Sequence, residues 1–132
     1  MKRWKLRHST EAATLELAFL FQSESVKYEI KRILDVLASQ SDPRSPDLSS
    51  GLLVDEVEFD APGWFRVKVP RYGIRIVFRL LIVREEQLIE IGAREAIDAT
   101  VVERYIDIMQ AAYRKDAYGA ELRNRYRQRR NK

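Results

Sequence analysis

Between Trp64 and Leu80 the chain alternates basic and apolar residues on both sides of a Pro70-Arg71-Tyr72-Gly73 turn. That alternation restricts the fold more than any other feature, because successive side chains of a strand point to opposite faces. In the first arm Phe65, Val67 and Val69 share one face, while Trp64, Arg66 and Lys68 share the other. In the second, Ile74, Ile76, Phe78 and Leu80 oppose Arg75, Val77 and Arg79. A hairpin built this way offers one apolar face to a core and displays a row of cations on the other. No acid lies between Trp64 and Leu80, and like charges on adjacent strands repel. The row therefore calls for water, carboxylates from elsewhere in the chain, or a polyanionic ligand such as a phosphate backbone. A solvated outer face whose arginines protect a sheet edge from aggregation is the plainer reading, and the pattern alone leaves both open.

Around the hairpin the other elements follow from periodicity. Lys2 to Arg7 reads as a short opening strand. Ser9 or Thr10 offers an N-cap for a helix over Ala12 to Phe21, with Glu11 in its first turn. Ser23 or Ser25 caps a second helix, whose Val26, Ile30, Ile33, Leu34 and Leu37 recur at intervals of three and four. Ser39 to Gly51, with two prolines among serines and aspartates, reads as a loop. Leu52 to Phe59 reads as a strand before the hairpin, and Leu88 to Ile91 as another after a turn at Arg84 to Gln87. From Ala96 to Tyr113, the apolar residues Ile97, Val101, Val102, Tyr105, Ile106, Ile108 and Met109 are spaced as for a helix. Helices and strands kept in separate runs indicate an α+β domain. The expected fold is an N-terminal helical hairpin on one face of a small, mainly antiparallel sheet, with a C-terminal helix. The opposite, cationic face is then open.

A chain of 132 residues holds one core. It has no cysteine and a single histidine, His8, so it lacks a disulfide framework, a thiolate nucleophile and the usual zinc or triad sets, and no cofactor is implied. His8 alone reads as an ordinary surface residue. The net charge of +4 is concentrated at the end: residues 115–132 carry +5 and the rest of the chain −1. A domain over 1–114 followed by a basic tail over 115–132 is the simplest division, with some helix expected around Ala120 to Arg129 and RNA contact as a further role of the tail. The apolar run Leu15 to Phe21 is short and interrupted by Glu16. It fits neither a signal peptide nor a membrane span, so a cytoplasmic address without membrane contact is expected.

Three motifs in this order resemble the RelE/ParE superfamily of toxins from type II toxin-antitoxin modules. They are Phe65-Arg66-Val67-Lys68, then Gly73-Ile74-Arg75-Ile76-Val77-Phe78, then Gly92-Ala93-Arg94-Glu95 at the end of the expected last strand. The resemblance spans about Trp4 to Met109. It implies a toxin, either an mRNA endonuclease acting at the ribosome and inhibiting translation or a non-catalytic inhibitor of DNA gyrase; the superfamily also has members with no demonstrated activity. It further implies a cognate antitoxin as partner, with heterotetramers of the two proteins. Carried over residue by residue, the RNA-gripping basic set falls on Arg66, Lys68, Arg75 and Arg94. The family's stacking tyrosine, six residues beyond the terminal arginine, falls on Thr100, with Tyr72 or Trp64 as substitutes.

The chemistry of RNA cleavage by its own 2′-hydroxyl needs a base, cations for the phosphoryl oxygens and an acid for the leaving oxygen. Arginines match phosphate oxygens through their forked donors. Like charges around Lys68 disfavour its protonated form, which makes it a candidate base. Glu90, in strand parity with Arg94, is the alternative base, but its plainer and preferred reading is a salt-bridge partner for Arg75 or Arg79. Arg71, Arg79, Tyr72 and Trp64 complete a surface of interleaved aromatic and basic residues suited to single-stranded nucleic acid.

Overall fold

A computed structural model describes residues 3–116 and 119–129. The chain folds as an α+β domain with strands β1 (Lys5–Arg7), β2 (Val54–Glu56), β3 (Phe65–Val69), β4 (Ile74–Arg84), β5 (Gln87–Glu90) and β6 (Arg104–Tyr113). Its helices are α1 (Glu11–Leu20), α2 (Glu24–Ser39) and α3 (Ala120–Gln128). The strand order is β1-β6-β4-β3-β2, and β5 pairs with the far half of the long β4. Among the described residues the β1–β6 pairing is parallel and the others are antiparallel. Among the described residues, no helix is long and apolar enough to cross a membrane.

The helical hairpin forms where the sequence places it. Thr10 caps α1 by accepting from the Ala13 amide at 3.2 Å, and Ser23 caps α2 by accepting from the Val26 amide at 3.4 Å. Glu11 and Glu24 in the first turns complement the helix dipoles. The apolar stripe of α2, Val26, Ile30, Ile33, Leu34 and Leu37, packs with Leu17 and Leu20 of α1 against Phe65, Val67, Val69, Ile74, Ile76, Phe78 and Leu80 of the sheet. Burial of each such side chain stabilises the fold by about 1.5–3 kcal/mol. The parity of the hairpin is thus realised: its apolar faces form the core. At its turn Pro70 starts a single 3-10 turn and Gly73 closes it at φ 65°, a left-handed conformation that glycine adopts without strain.

The segment 96–113 departs from expectation. Only irregular chain runs over 96–103, and Arg104–Tyr113 is the strand β6, the second strand from the edge of the sheet. A β-bulge explains the misleading spacing. Val77 pairs with Gln110 but Phe78 pairs with Ile108, which leaves Met109 without an opposite residue. Core-facing Ile106 and Ile108 are therefore followed by Ala111 at an interval of three, a helical interval produced by a strand.

The second departure concerns the open face. Helix α3, from the segment expected as a basic tail, lies across the sheet opposite α1 and α2. Its Leu122 is fully buried with Val57, Ala61, Trp64, Val77 and Met109, and Tyr126 packs against them. The cationic face is covered over its middle, and the end that bears Lys68 and Arg75 lies beyond this cluster.

Candidate nucleic-acid interface

Under α3 the cations of the sheet meet carboxylates. The Arg79 Nε donates to Asp107 at 2.9 Å and its Nη1 to Glu90 at 3.2 Å. Asp107 is fully buried and also accepts from the Ser9 amide and hydroxyl. Glu90 accepts from the Trp64 indole at 3.0 Å through Oε1 and from Arg129, the C-cap of α3, at 2.6 Å through Oε2. Arg125 of α3 forks onto Glu16 of α1 at 2.8 and 2.9 Å and donates to the Met109 carbonyl. Burial works against the Arg125 charge, but Glu16 and Glu121 more than offset it and hold the guanidinium above its ordinary value. The start of α3 is tied down by Asp60, which accepts from the Gly119 amide and from Arg123. These pairs join three separate parts of the chain into one compensated layer.

At the other end of the face the charges are not matched. Lys68 and Arg75 stand directly opposite each other across β3 and β4, and Arg75 is opposite Ala112 of β6. Among the described residues neither cation has a carboxylate within salt-bridge distance. Asp55 of β2 acts on both from farther off. Its carboxyl is held below the usual range first by the hydrogen bond from Arg66, then by the charges of Arg66, Lys68 and Arg75. Arg66 itself grips Asp55 with two hydrogen bonds of 2.7 and 2.6 Å. The hairpin turn adds exposed Arg71, whose guanidinium lies 5.4 Å from the centre of the Tyr72 ring. Beside that turn the Arg114 amide donates to the Gly73 carbonyl at 2.7 Å, so exposed Arg114 and Lys115 extend the same end. This arrangement can hold anionic groups in succession, with arginine forks suited to phosphate oxygens.

The residues expected to form one surface divide between these two environments. Lys68, Arg75 and Arg71 gather at the basic end, with Tyr72 half-buried beside them against the main core. Arg66 adjoins them but is engaged with Asp55. Trp64, expected on an exposed face, is fully buried and meets Tyr126 edge to face at 5.2 Å. It cannot stack on a base while α3 is docked. Arg79 and Glu90 pair with each other, as the plainer reading of Glu90 has it. Both oxygens of Glu90 accept from positively charged groups, which removes it as a free base.

Arg94 stands apart. The last strand of the sheet is β6, so Gly92 to Glu95 is an exposed turn after β5, whose Gly92 and Ala93 carbonyls accept from Arg44. The arginine that directly follows the last strand is Arg114. Its signal in the sequence was its place after an apolar segment, a signal hidden by the helical reading of that segment. Thr100 lies in the irregular chain, donating its hydroxyl and amide to Asp98. His8 pairs with the Thr14 hydroxyl at 2.7 Å. Among the described residues no set of three or more histidine, aspartate or glutamate side chains is placed to hold a metal. No family model, curated protein or solved structure matches the chain.

Proposed function

We propose that this chain is a toxin of the RelE/ParE type, an endoribonuclease that cuts mRNA at the ribosome in the cytoplasm and is neutralised by a cognate antitoxin in a heterotetramer. The observation that carries the reading is the convergence of Lys68, Arg71, Arg75 and Arg114 on one end of the sheet, where none of them is salt-bridged to a carboxylate among the described residues. A phosphate backbone satisfies such a cluster, and the resemblance of the hairpin to the toxin motifs gives that backbone an identity. Lys68, facing Arg75, is the residue for the 2′-hydroxyl proton, and Arg75 and Arg114 stabilise charge on the phosphoryl oxygens. Added to a translating extract, the protein is expected to cleave mRNA, and Arg75→Ala to lower that cleavage by about 10²-fold or more. Intact mRNA together with undiminished protein synthesis would end the proposal.

One observation favours a second reading. With Glu90 engaged by Trp64, Arg79 and Arg129, and Asp55 held by Arg66, the described residues of the basic end leave no acid free to complete the chemistry. A non-catalytic inhibitor of DNA gyrase needs none. Loss of gyrase supercoiling with mRNA left whole would select this version.

A further inference from the structure

The basic end has an apolar neighbour that the carried-over motifs do not include. Helix α1 buries Ala13, Leu17 and Leu20, yet Leu15 and Phe19, one turn apart on its outer side, are 61% and 63% exposed. Single exposed apolar residues are ordinary on protein surfaces. These two are not scattered: with Ala112 and Tyr113 of β6 they line one open cavity of about 320 Å³. Ala112 is the residue in register with Arg75, which is in register with Lys68. Crossing the sheet at this level therefore passes from Lys68 to Arg75 to Ala112 and on to the α1 shelf, in steps of about 5 Å per strand.

We propose that this shelf receives an unpaired base of the RNA whose phosphates Lys68, Arg75 and Arg114 hold; the inference rests on the RNA reading above. Flat apolar groups next to unmatched cations are what a single strand requires, since its bases stack on aromatic and apolar surfaces while its phosphates pair with positive charge. Phe19 supplies the aromatic face, and Leu15, Ala112 and the half-buried Tyr113 supply the walls. The shelf performs the stacking that Thr100 cannot and that buried Trp64 does not.

The test is equilibrium binding of a short uridine-rich single-stranded RNA, and of the same RNA with abasic positions, across a range of salt. Phe19→Ala is expected to weaken binding of the intact RNA by about tenfold, the scale of one stacked base, without changing the salt slope, because no phosphate contact is lost. Phe19→Trp should restore affinity. The abasic RNA should bind the parent protein as weakly as the intact RNA binds Phe19→Ala, with no further loss when both changes are combined. Equal affinity of Phe19→Ala and parent for intact RNA, with an unchanged circular dichroism spectrum, overturns the shelf; if Arg75→Ala still weakens binding, the RNA reading stands without it. If neither substitution weakens binding, both fall. An abasic penalty that persists undiminished in Phe19→Ala also overturns the proposal, since the base then rests elsewhere.

Discussion

The two halves of the cationic face carry similar side chains and have different electrostatic fates. Beneath α3, Arg79 is held between Asp107 and Glu90, and Arg125 between Glu16 and Glu121. At the end of the sheet, Lys68 faces Arg75, and both charges act on Asp55 without a salt bridge to it. The covered half uses charge to attach one element to another. The uncovered half keeps its charge available to something outside the chain. A cation on a strand is thus assigned to structure or to binding by the carboxylates that the rest of the fold brings to it, rather than by the strand that bears it.

The largest effect that would sharpen this contrast is Asp107→Ala. The substitution leaves Arg79 with one partner in a buried setting and deprives Ser9 of its acceptor. Breaking a buried pair from one side costs about 3–5 kcal/mol. Arg75→Ala, which breaks no described ion pair, should change stability by about 0.5 kcal/mol or less. Urea unfolding of the two variants beside the parent measures both. Equal destabilisation would show that the basic end is as structural as the covered layer.

A smaller effect is expected from Trp64→Phe. The substitution keeps most of the apolar bulk but removes the indole donor to Glu90, and so costs about 1–3 kcal/mol in the same unfolding assay. It should leave RNA affinity unaltered, because the ring lies under α3. A loss of RNA binding at full stability would instead place Trp64 at the interface and α3 away from it.

Much of this layout is legible in the sequence, and what is not has a common cause. The faces of β3 and β4 follow from strict alternation, and α1 and α2 from caps and spacing, all of which are local signals. The bulge at Met109 inserts one residue into β6, and with it the local signal points to a helix. The reach of α3 back to Glu16 and Glu90 is invisible because its partners are far away in sequence. Leu122 and Tyr126 are its one apolar stripe, set among arginines that suggest a solvated tail. The candidate site inherits the same limits: Lys68, Arg71 and Arg75 come from the hairpin pattern, whereas Arg114 required the position of β6 and Phe19 required the packing of α1.

The smallest expected effect lies at the boundary between the two halves, where Asp55 pairs with Arg66 and also lowers the charge felt at Lys68 and Arg75. The ordinary aspartate value is 3.8, and the hydrogen bond from Arg66 followed by the surrounding positive charges holds the folded value below it. A carboxyl whose folded value is depressed contributes stability that is fully present above 3.8 and is lost as pH falls through the lower, folded value. Because the pair is partly exposed, with side-chain exposures of 29% for Arg66 and 47% for Asp55, solvent screening keeps that contribution small. Asp55→Asn should therefore lose stability less steeply than the parent below pH 3.8, by a margin visible only in careful acid unfolding curves. At neutral pH the same substitution removes a negative charge from beside the basic end, so RNA should bind more tightly and with a steeper salt dependence. A weaker affinity in Asp55→Asn would mean that Asp55 serves the interface by orienting Arg66 toward it, and that Arg66 belongs with the binding cations instead of with the compensated ones.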